Sequence, residues 1–350
     1  MNAGFAPAFW QALLAAEVSA FRAEQIVREI VGSGVDPIGF LTTRARLTPA
    51  ELERIRGVDP RALESALAAG VEILERDRMS APLLDSKNPP FALFANGNVD
   101  VLDRPAVAIV GTRSASTYGK AVAMKFSEAL ARSGIVVVSG GAHGVDAAAH
   151  KGCLAEGGST VAVLAHGVDQ AYPAMHRSLF ERIRESGCLL SPFAIGIKPS
   201  RYRFLVRNHV IAALSAGVLV VEAPEQSGAL STAHAAAEMG RQVWVVPANI
   251  DQPGFKGSHA LIRDGASLVD HPHQILADLG IEPAPAPARS ESARSVPQTA
   301  ILHALEATPL AVEKIVLKTQ LSPEEVLAEL TMLELDGLVL REDGGFARRP

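Results

Sequence analysis

The sequence predicts an α/β protein: an extended Rossmann-like parallel sheet, with a small helical domain before it and a winged-helix domain after it. Three observations carry this. Short apolar runs at Ala106–Val110, Ile135–Ser139, Thr160–Leu164, Val218–Glu222 and Gln242–Val246, with a weaker one at Cys188–Leu190, alternate with helical segments. Nearly continuous apolar strands separated by helices imply a parallel sheet covered on both faces. The first two runs each break into glycine and hydroxyl residues before a helical pattern resumes, through Gly111-Thr-Arg113-Ser-Ala-Ser116 and Gly140-Gly-Ala-His-Gly144. Finally, the last fifty or so residues read as three helices and a hairpin.

In chain order, residues 1–80 read as short helices. Thr48-Pro-Ala-Glu51 is a capping box with proline at the first helical position, and Asp59-Pro60 opens another helix. Ile55-Arg-Gly-Val58 between them resembles the turn of a helix-hairpin-helix unit, and a plain helical packing domain would use the same residues. Residues 81–280 hold the strand and helix alternation. Residues 281–297 form a linker, in which Pro283-Ala-Pro-Ala-Pro and the Ser/Arg run after it build no core and favour extended chain. In residues 298–350, Gln298–Glu306, Leu310–Leu317 and Ser322–Leu335 are helices, the last with a Ser322-Pro-Glu-Glu325 capping box. Leu338–Ala347 is a hairpin with an Asp-Gly turn, which completes the winged-helix pattern.

At 350 residues the chain has room for two or three domains. Its net charge of −5 carries no global signature of nucleic-acid binding, but the charge is uneven. Residues 101–280 alone hold a basic excess, +2, and nine of the ten histidines; residues 1–100 carry −3 and residues 298–350 carry −4. Cys153 and Cys188 form no CxxC pair and no metal spacing, so a reducing cytoplasm is expected. Glu17 and Glu24 interrupt the apolar start too early for a signal peptide or membrane span.

Strand–turn–helix units present unpaired N–H groups and the positive end of a helix dipole, so they bind anions. Arg113 lies inside the first such turn, where a guanidinium holds a phosphate with two parallel bonds. A third segment, Lys198-Pro-Ser-Arg201-Tyr-Arg203-Phe-Leu-Val-Arg207-Asn-His209, interleaves four cations with Tyr202 and Phe204. Cations track phosphates and aromatics stack unpaired bases, although an ordinary solvated helix start would also look like this. A fourth turn, Ser227-Gly228-Ala-Leu-Ser-Thr232, offers N–H and O–H donors to a phosphate, or plain N-capping. His143, Asp146 and His150 fall at near-helical spacing, which a metal could use. A turn histidine and a first-turn carboxylate account for the first two without a metal.

At these places the chain resembles the DprA/Smf family. The resemblance runs through Gly111-Thr-Arg113, Ser116-x-Tyr118-Gly119, Ser139-Gly-Gly-Ala-x-Gly144-x-Asp146-x-x-Ala-His150, Tyr172-Pro173, Phe204-x-x-Arg207-Asn208, Ser227-Gly228-x-Leu-x-Thr232 and Gly240-Arg241-x-Val-x-x-Val-Pro247, and covers about residues 80–275. The combination in this order is specific, although each motif alone is weak. The resemblance implies a protein that binds and protects single-stranded DNA during natural transformation and helps load RecA recombinase onto it. It further implies a cytoplasmic homodimer, joined through the Rossmann domain, that is not an enzyme and needs no cofactor, metal or membrane. The candidate DNA-binding residues are then Arg113, Ser114, Ser116, Tyr118, Gly119 and Lys120 at the first turn, and Ser139, Gly140, Gly141 and Gly144 at the second. Arg177, after Tyr172-Pro173, matches a basic pocket residue of the family. Arg201, Arg203, Phe204, Arg207 and Asn208 come from the basic–aromatic segment, and Ser227, Gly228 and Thr232 from the fourth turn. Two departures stand out: His209 replaces a second basic residue after the Arg-Asn pair, and Ala248 replaces a glycine after Val246-Pro247.

The enzyme alternative is a phosphoribohydrolase that cleaves nucleoside monophosphates on a related Rossmann scaffold. It needs a catalytic carboxylate after its phosphate turn, and Ala235 holds that position here. A dinucleotide-dependent oxidoreductase fits less well. Ser139–Gly144 is not G-x-G-x-x-G, and no acidic residue ends the next strand at Val163-Leu164. A scaffold protein working through its winged helix is a further class.

Overall fold

The computed structural model describes residues 5–31, 33–284, 295–305, 308–335, 338–342 and 344–348. They fall into two compact units, Met1–Ala284 and Pro285–Pro350. Most of the expected linker, 285–294, lies outside the described residues, as do Glu306 and Asp343 of the expected third-domain helix and turn.

The larger unit opens with five helices, α1 (Pro7–Ala16), α2 (Ala20–Val31), α3 (Pro37–Thr43), α4 (Pro49–Arg56) and α5 (Pro60–Ala68). Their starts are written in the sequence: Thr48 and Glu51 close a reciprocal capping box on α4, and the Asp59 side chain caps α5. Then come β1 (Val71–Glu75), α6 (Ala81–Leu84), β2 (Ala92–Gly97), β3 (Ala106–Val110), α7 (Thr117–Arg132), β4 (Val136–Ser139), α8 (Val145–Ala155), β5 (Thr160–Val163), α9 (Arg177–Ser186) and β6 (Cys188–Ser191). The unit ends with α10 (Arg201–Leu214), β7 (Gly217–Val220), α11 (Gly228–Glu238), β8 (Gln242–Val245), α12 (Lys256–Arg263), β9 (Ser267–Leu268) and α13 (Pro272–Asp278).

The nine strands form one sheet in the order β1-β2-β6-β5-β4-β3-β7-β8-β9. The seven from β6 to β9 are parallel, and β2 and β1 extend the β6 edge antiparallel. Period-two alternation feeds two cores. Ala106, Ala108, Val110, Val136 and Val138 pack with α10 and α11 on one face, while Val107, Ile109 and Val137 pack with α7 and α8 on the other. The N-terminal helices keep an apolar cluster of their own around Phe9, Trp10, Leu13, Ile26, Ile30 and Phe40, but it also takes in Ala92 of β2. A buried Gln11 binds both the N–H and the carbonyl of Ile195, just beyond β6. These helices and the sheet are therefore one compact body, and β1, within the stretch expected to be purely helical, is a strand of that sheet.

The strand order positions the site. The chain runs outward from β3 to β4, β5 and β6, then returns to lay β7 on the other side of β3. At that reversal the loops leaving neighbouring strands part in opposite directions and open a crevice beyond the carboxyl ends. Gly144 holds the second turn in place. Its φ is +77°, and a Cβ there would strike the Thr112 carbonyl and come within 2.6 Å of the Arg113 carbonyl.

The smaller unit contains α14 (Val296–Ala304), α15 (Val312–Thr319) and α16 (Pro323–Leu335), followed by the hairpin β10 (Val339–Glu342) and β11 (Gly345–Arg348). Ile301, Ile315, Val326, Leu330, Leu333 and Val339 make its core. This is the expected winged-helix arrangement. Among the described residues no helix is long and apolar enough to cross a membrane.

Gly144→Ala is expected to lower unfolding free energy by about 2 kcal/mol or more, because positive φ and a backbone clash coincide there. Urea denaturation of the two proteins checks this; an unchanged midpoint would show that the turn has no such constraint.

Candidate nucleic-acid interface

The turns after β3, β4 and β7 converge with α10 on a cleft of about 440 Å³, whose walls include Thr112, Arg113, Asp146, Arg201, Phe204, Asn208, Ser227, Gly228 and Thr232. A smaller recess of about 80 Å³ adjoins it, bounded by Gly140, His143, Ala165, His166, Tyr172 and Pro173. Arg113 and Phe204 line both, so they form the wall between them.

Arg113 is exposed, and its guanidinium sits 4.5 Å from the centre of the Phe204 ring. A cation stacked on an aromatic face is oriented before any ligand arrives, and its fork remains free for a phosphate. Among the described residues no carboxylate forms an ion pair with Arg113. Arg201 is exposed at the same cleft, Ser114 is exposed in the turn beside Arg113, and Lys120 is exposed one turn into α7.

Beneath this surface lies a charged frame. Arg207 and Asn208 of α10 are only 5% and 7% exposed. Arg207 Nη1 donates to the Val163 carbonyl at 3.0 Å, and Asn208 Nδ2 donates to Gly228 O and Ser231 Oγ at 3.2 and 2.6 Å. Asp146 accepts from the Ala142 N–H at 3.3 Å. Gly140 lies between Arg207 and Asp146, and a Cβ on it would collide with the guanidinium. Burial pushes the Asp146 carboxyl up, and the charge of Arg207 opposes that rise. Burial likewise brings Arg207 down to about 10, partly offset by Asp146. The Arg-Asn pair thus ties α10 to β5 and α11, while the buried Arg207 Nε has no hydrogen-bond partner among the described residues.

The other candidates divide in the same way. Ser116 caps α7, and both its N–H and hydroxyl donate to Glu222 Oε2, at 2.9 and 2.7 Å. Gly119 is buried against the same carboxylate, where a side chain would not fit. Tyr118, partly exposed, donates its hydroxyl to the Pro247 carbonyl at 3.1 Å. Ser139 is buried and donates to Ile109 O at 2.7 Å. Gly141, at φ +67°, gives its carbonyl to His176 Nδ1 at 2.9 Å. Ser227 caps α11 through the Ala229 N–H, Gly228 is exposed, and Thr232 is buried in the cleft wall. Arg203 pairs with Glu17 at the end of α1, at 2.5 Å, and so fastens α10 to the N-terminal helices. Arg177 is exposed on α9 in a separate recess with Asp169, Gln170 and Arg184, away from both hollows around Arg113. His209 faces an apolar groove with Leu13, Phe21 and Phe91 on the far side of α10, so its replacement of a basic residue leaves the cleft unaltered. Glu222 went unnoticed in the sequence; its signal was a lone acid ending an apolar strand.

His143 packs edge-on against His176, with centroids 4.7 Å apart. Thr160 gives its hydroxyl proton to Val137 O, so it accepts from His150 Nδ1–H at 2.8 Å. Burial, reinforced by the nearby charges of His176 and Arg207, drives His150 down to about 3, and burial also lowers His166 and His176.

Fold and cleft together define a doubly wound α/β protein with a crevice at its switch point and a winged-helix unit in the same chain. The family model of DNA recombination-mediator protein A matches residues 71–280, and that of the DprA winged helix matches residues 283–345. The chain belongs to the DprA/Smf family. Protein Smf of Escherichia coli K12 is 34% identical over 319 residues, covering 86% of this chain and 85% of that protein. The X-ray structure of DNA processing protein A from Streptococcus pneumoniae superposes with a TM-score of 0.66 at 31% identity, covering 77% of this chain and 96% of that one. The Helicobacter pylori structure, described for its single-stranded DNA binding mode, gives 0.55 at 29% identity, covering 60% and 95%.

Between pH 6.5 and about 3 the unfolded chain binds a proton at His150 that the folded chain refuses. Stability is therefore lost as the pH falls through that window. His150→Asn, which keeps an N–H near the Nδ1 position, is expected to flatten the stability–pH slope there by about one proton. His166, His176 and His271, whose pKa values burial also lowers, contribute to the shallower slope that remains. Chemical denaturation at pH 7, 6 and 5 checks this, and identical slopes would contradict it.

Proposed function

We propose that this protein binds single-stranded DNA along the cleft, shields it, and passes it to a RecA-type recombinase, working as a cytoplasmic homodimer joined through the Rossmann domain and without enzymatic activity. The observation that carries the reading is Arg113, stacked on Phe204 on the wall between the larger cleft and a small aromatic recess. A guanidinium at the wall suits a backbone phosphate, and a recess edged by Tyr172, Phe204 and two histidines suits an unpaired base. A base held in a duplex cannot enter such a recess. The described binding mode of the Helicobacter pylori relative supports the same ligand class.

The phosphoribohydrolase reading loses ground on two counts. Ala235 occupies the position where that chemistry needs a carboxylate. Asp146, the carboxylate in the cleft wall, is 6% exposed and already accepts from the Ala142 N–H.

Mobility shifts with single-stranded and duplex oligonucleotides across a salt series test the proposal. Single strands are expected to bind more tightly at every salt concentration; equal or tighter duplex binding would refute it. Arg113→Ala is expected to weaken single-strand binding about tenfold and flatten the log–log salt slope by about 0.7, the share of one phosphate contact.

The winged-helix unit is not the single-strand site in this reading. α16 carries Glu324, Glu325, Glu329 and Glu334 and no Lys or Arg, so the helix that would enter a major groove repels a polyanion. Its acidic face suits a protein partner. A chain ending at residue 284 is expected to keep its affinity within about threefold; a loss of about a hundredfold, about 2.7 kcal/mol, would assign DNA binding to the winged helix.

A further inference from the structure

Glu222 is a buried carboxylate at the carboxyl end of β7, 4% exposed, beside a cleft suited to anions. By charge alone it works against such a ligand. Its contacts give it another role. The Glu222 main-chain carbonyl accepts from the Thr112 N–H at 2.7 Å, and its Oε2 accepts from both the N–H and the hydroxyl of Ser116 at 2.9 and 2.7 Å. One residue therefore holds both ends of the turn that carries Arg113. The chain leaves room for the carboxylate: a Cβ on Gly119 would strike Oε2, and one on Gly254 would come within 2.8 Å of Oε1. The Ser116 hydroxyl that donates to Glu222 accepts in turn from the Gly119 N–H at 3.0 Å, so the start of α7 is tied into the same bonds.

We infer that Glu222 is a positioning residue for ligand binding: its carboxylate, reaching across the strand-order reversal from β7, sets the turn after β3 so that the Arg113 guanidinium lies over Phe204 and faces the cleft. This rests on the single-strand reading above. It concerns which residue aims Arg113, and assigns Glu222 no contact with the ligand.

The opposing signs of charge and position make the inference testable on the full-length protein with a fluorescently labelled oligothymidine. Glu222→Ala is expected to weaken binding about tenfold and to flatten the salt slope as Arg113→Ala does, although it removes a negative charge. Glu222→Gln keeps an acceptor oxygen at the Oε2 position and is expected to restore affinity to within about threefold of wild type. In an Arg113→Ala background, Glu222→Ala should have no further effect, since the guanidinium it aims is gone. A merely stabilising residue would lower the melting temperature and leave this coupling at zero. Should Glu222→Ala not fold, Ser116→Ala removes one of the two donors and should give a smaller loss that likewise vanishes without Arg113. Tighter binding by both Glu222 variants would show that charge, not position, is its effect, and would overturn the inference. So would a loss of equal size with and without Arg113. A wild-type chain that ignores the oligonucleotide would overturn the single-strand reading and this inference with it. A wild type that binds, and weakens with Arg113→Ala, isolates the result to Glu222.

Discussion

Arg207 carries a guanidinium into the floor of the cleft, where 5% of its surface meets solvent. Desolvating such a charge costs several kcal/mol, and only close partners offset it. Those partners dictate much of the local chain. Asp146 supplies the opposing charge, the Val163 carbonyl takes one N–H, and residue 140 has no side chain because any Cβ would overlap the guanidinium. Asp146 in turn closes the turn after β4 by accepting from Ala142. Removing either charge would strand the other, so the cleft floor stands or falls as a unit.

On this floor the exposed chemistry is sparse. Arg113 and Arg201 are the candidate side chains that are exposed at the cleft among the described residues, in a chain whose net charge is −5. Attraction of a polyanion must then come from local placement of a few cations and helix N-termini, not from a broad positive field. Position accordingly counts for more than number. The aromatic support of Phe204 under Arg113 and the acidic clamp of Glu222 on its turn serve the same end from opposite sides of the switch point.

The parallel strands were legible because both of their faces are buried, which forces continuous apolar runs such as Ala106–Val110. β1 was missed for the converse reason. Val71-Glu-Ile-Leu-Glu75 is an edge strand with half-exposed charged positions. The winged helix was legible from its caps and periodicity: α16 begins one residue after the expected Ser322, and the hairpin strands fall where the Asp-Gly turn put them.

By itself the sequence determined the fold class, the six strands from β3 to β8 and the position of each glycine-rich turn, because these follow from local periodicity, caps and backbone freedom. It also placed Arg113, Arg201, Arg203 and Arg207 near one another, but gave them a single meaning, since arginines in a motif look alike in one dimension. Only the tertiary structure separated them. Arg113 and Arg201 face solvent at the cleft, Arg203 is spent on Glu17 at 2.5 Å, and Arg207 is buried beside Asp146. The physical reason is that a guanidinium's role depends on what surrounds it, and its surroundings here come from β5, α1 and α8, all distant in the chain and assembled only when the sheet closes.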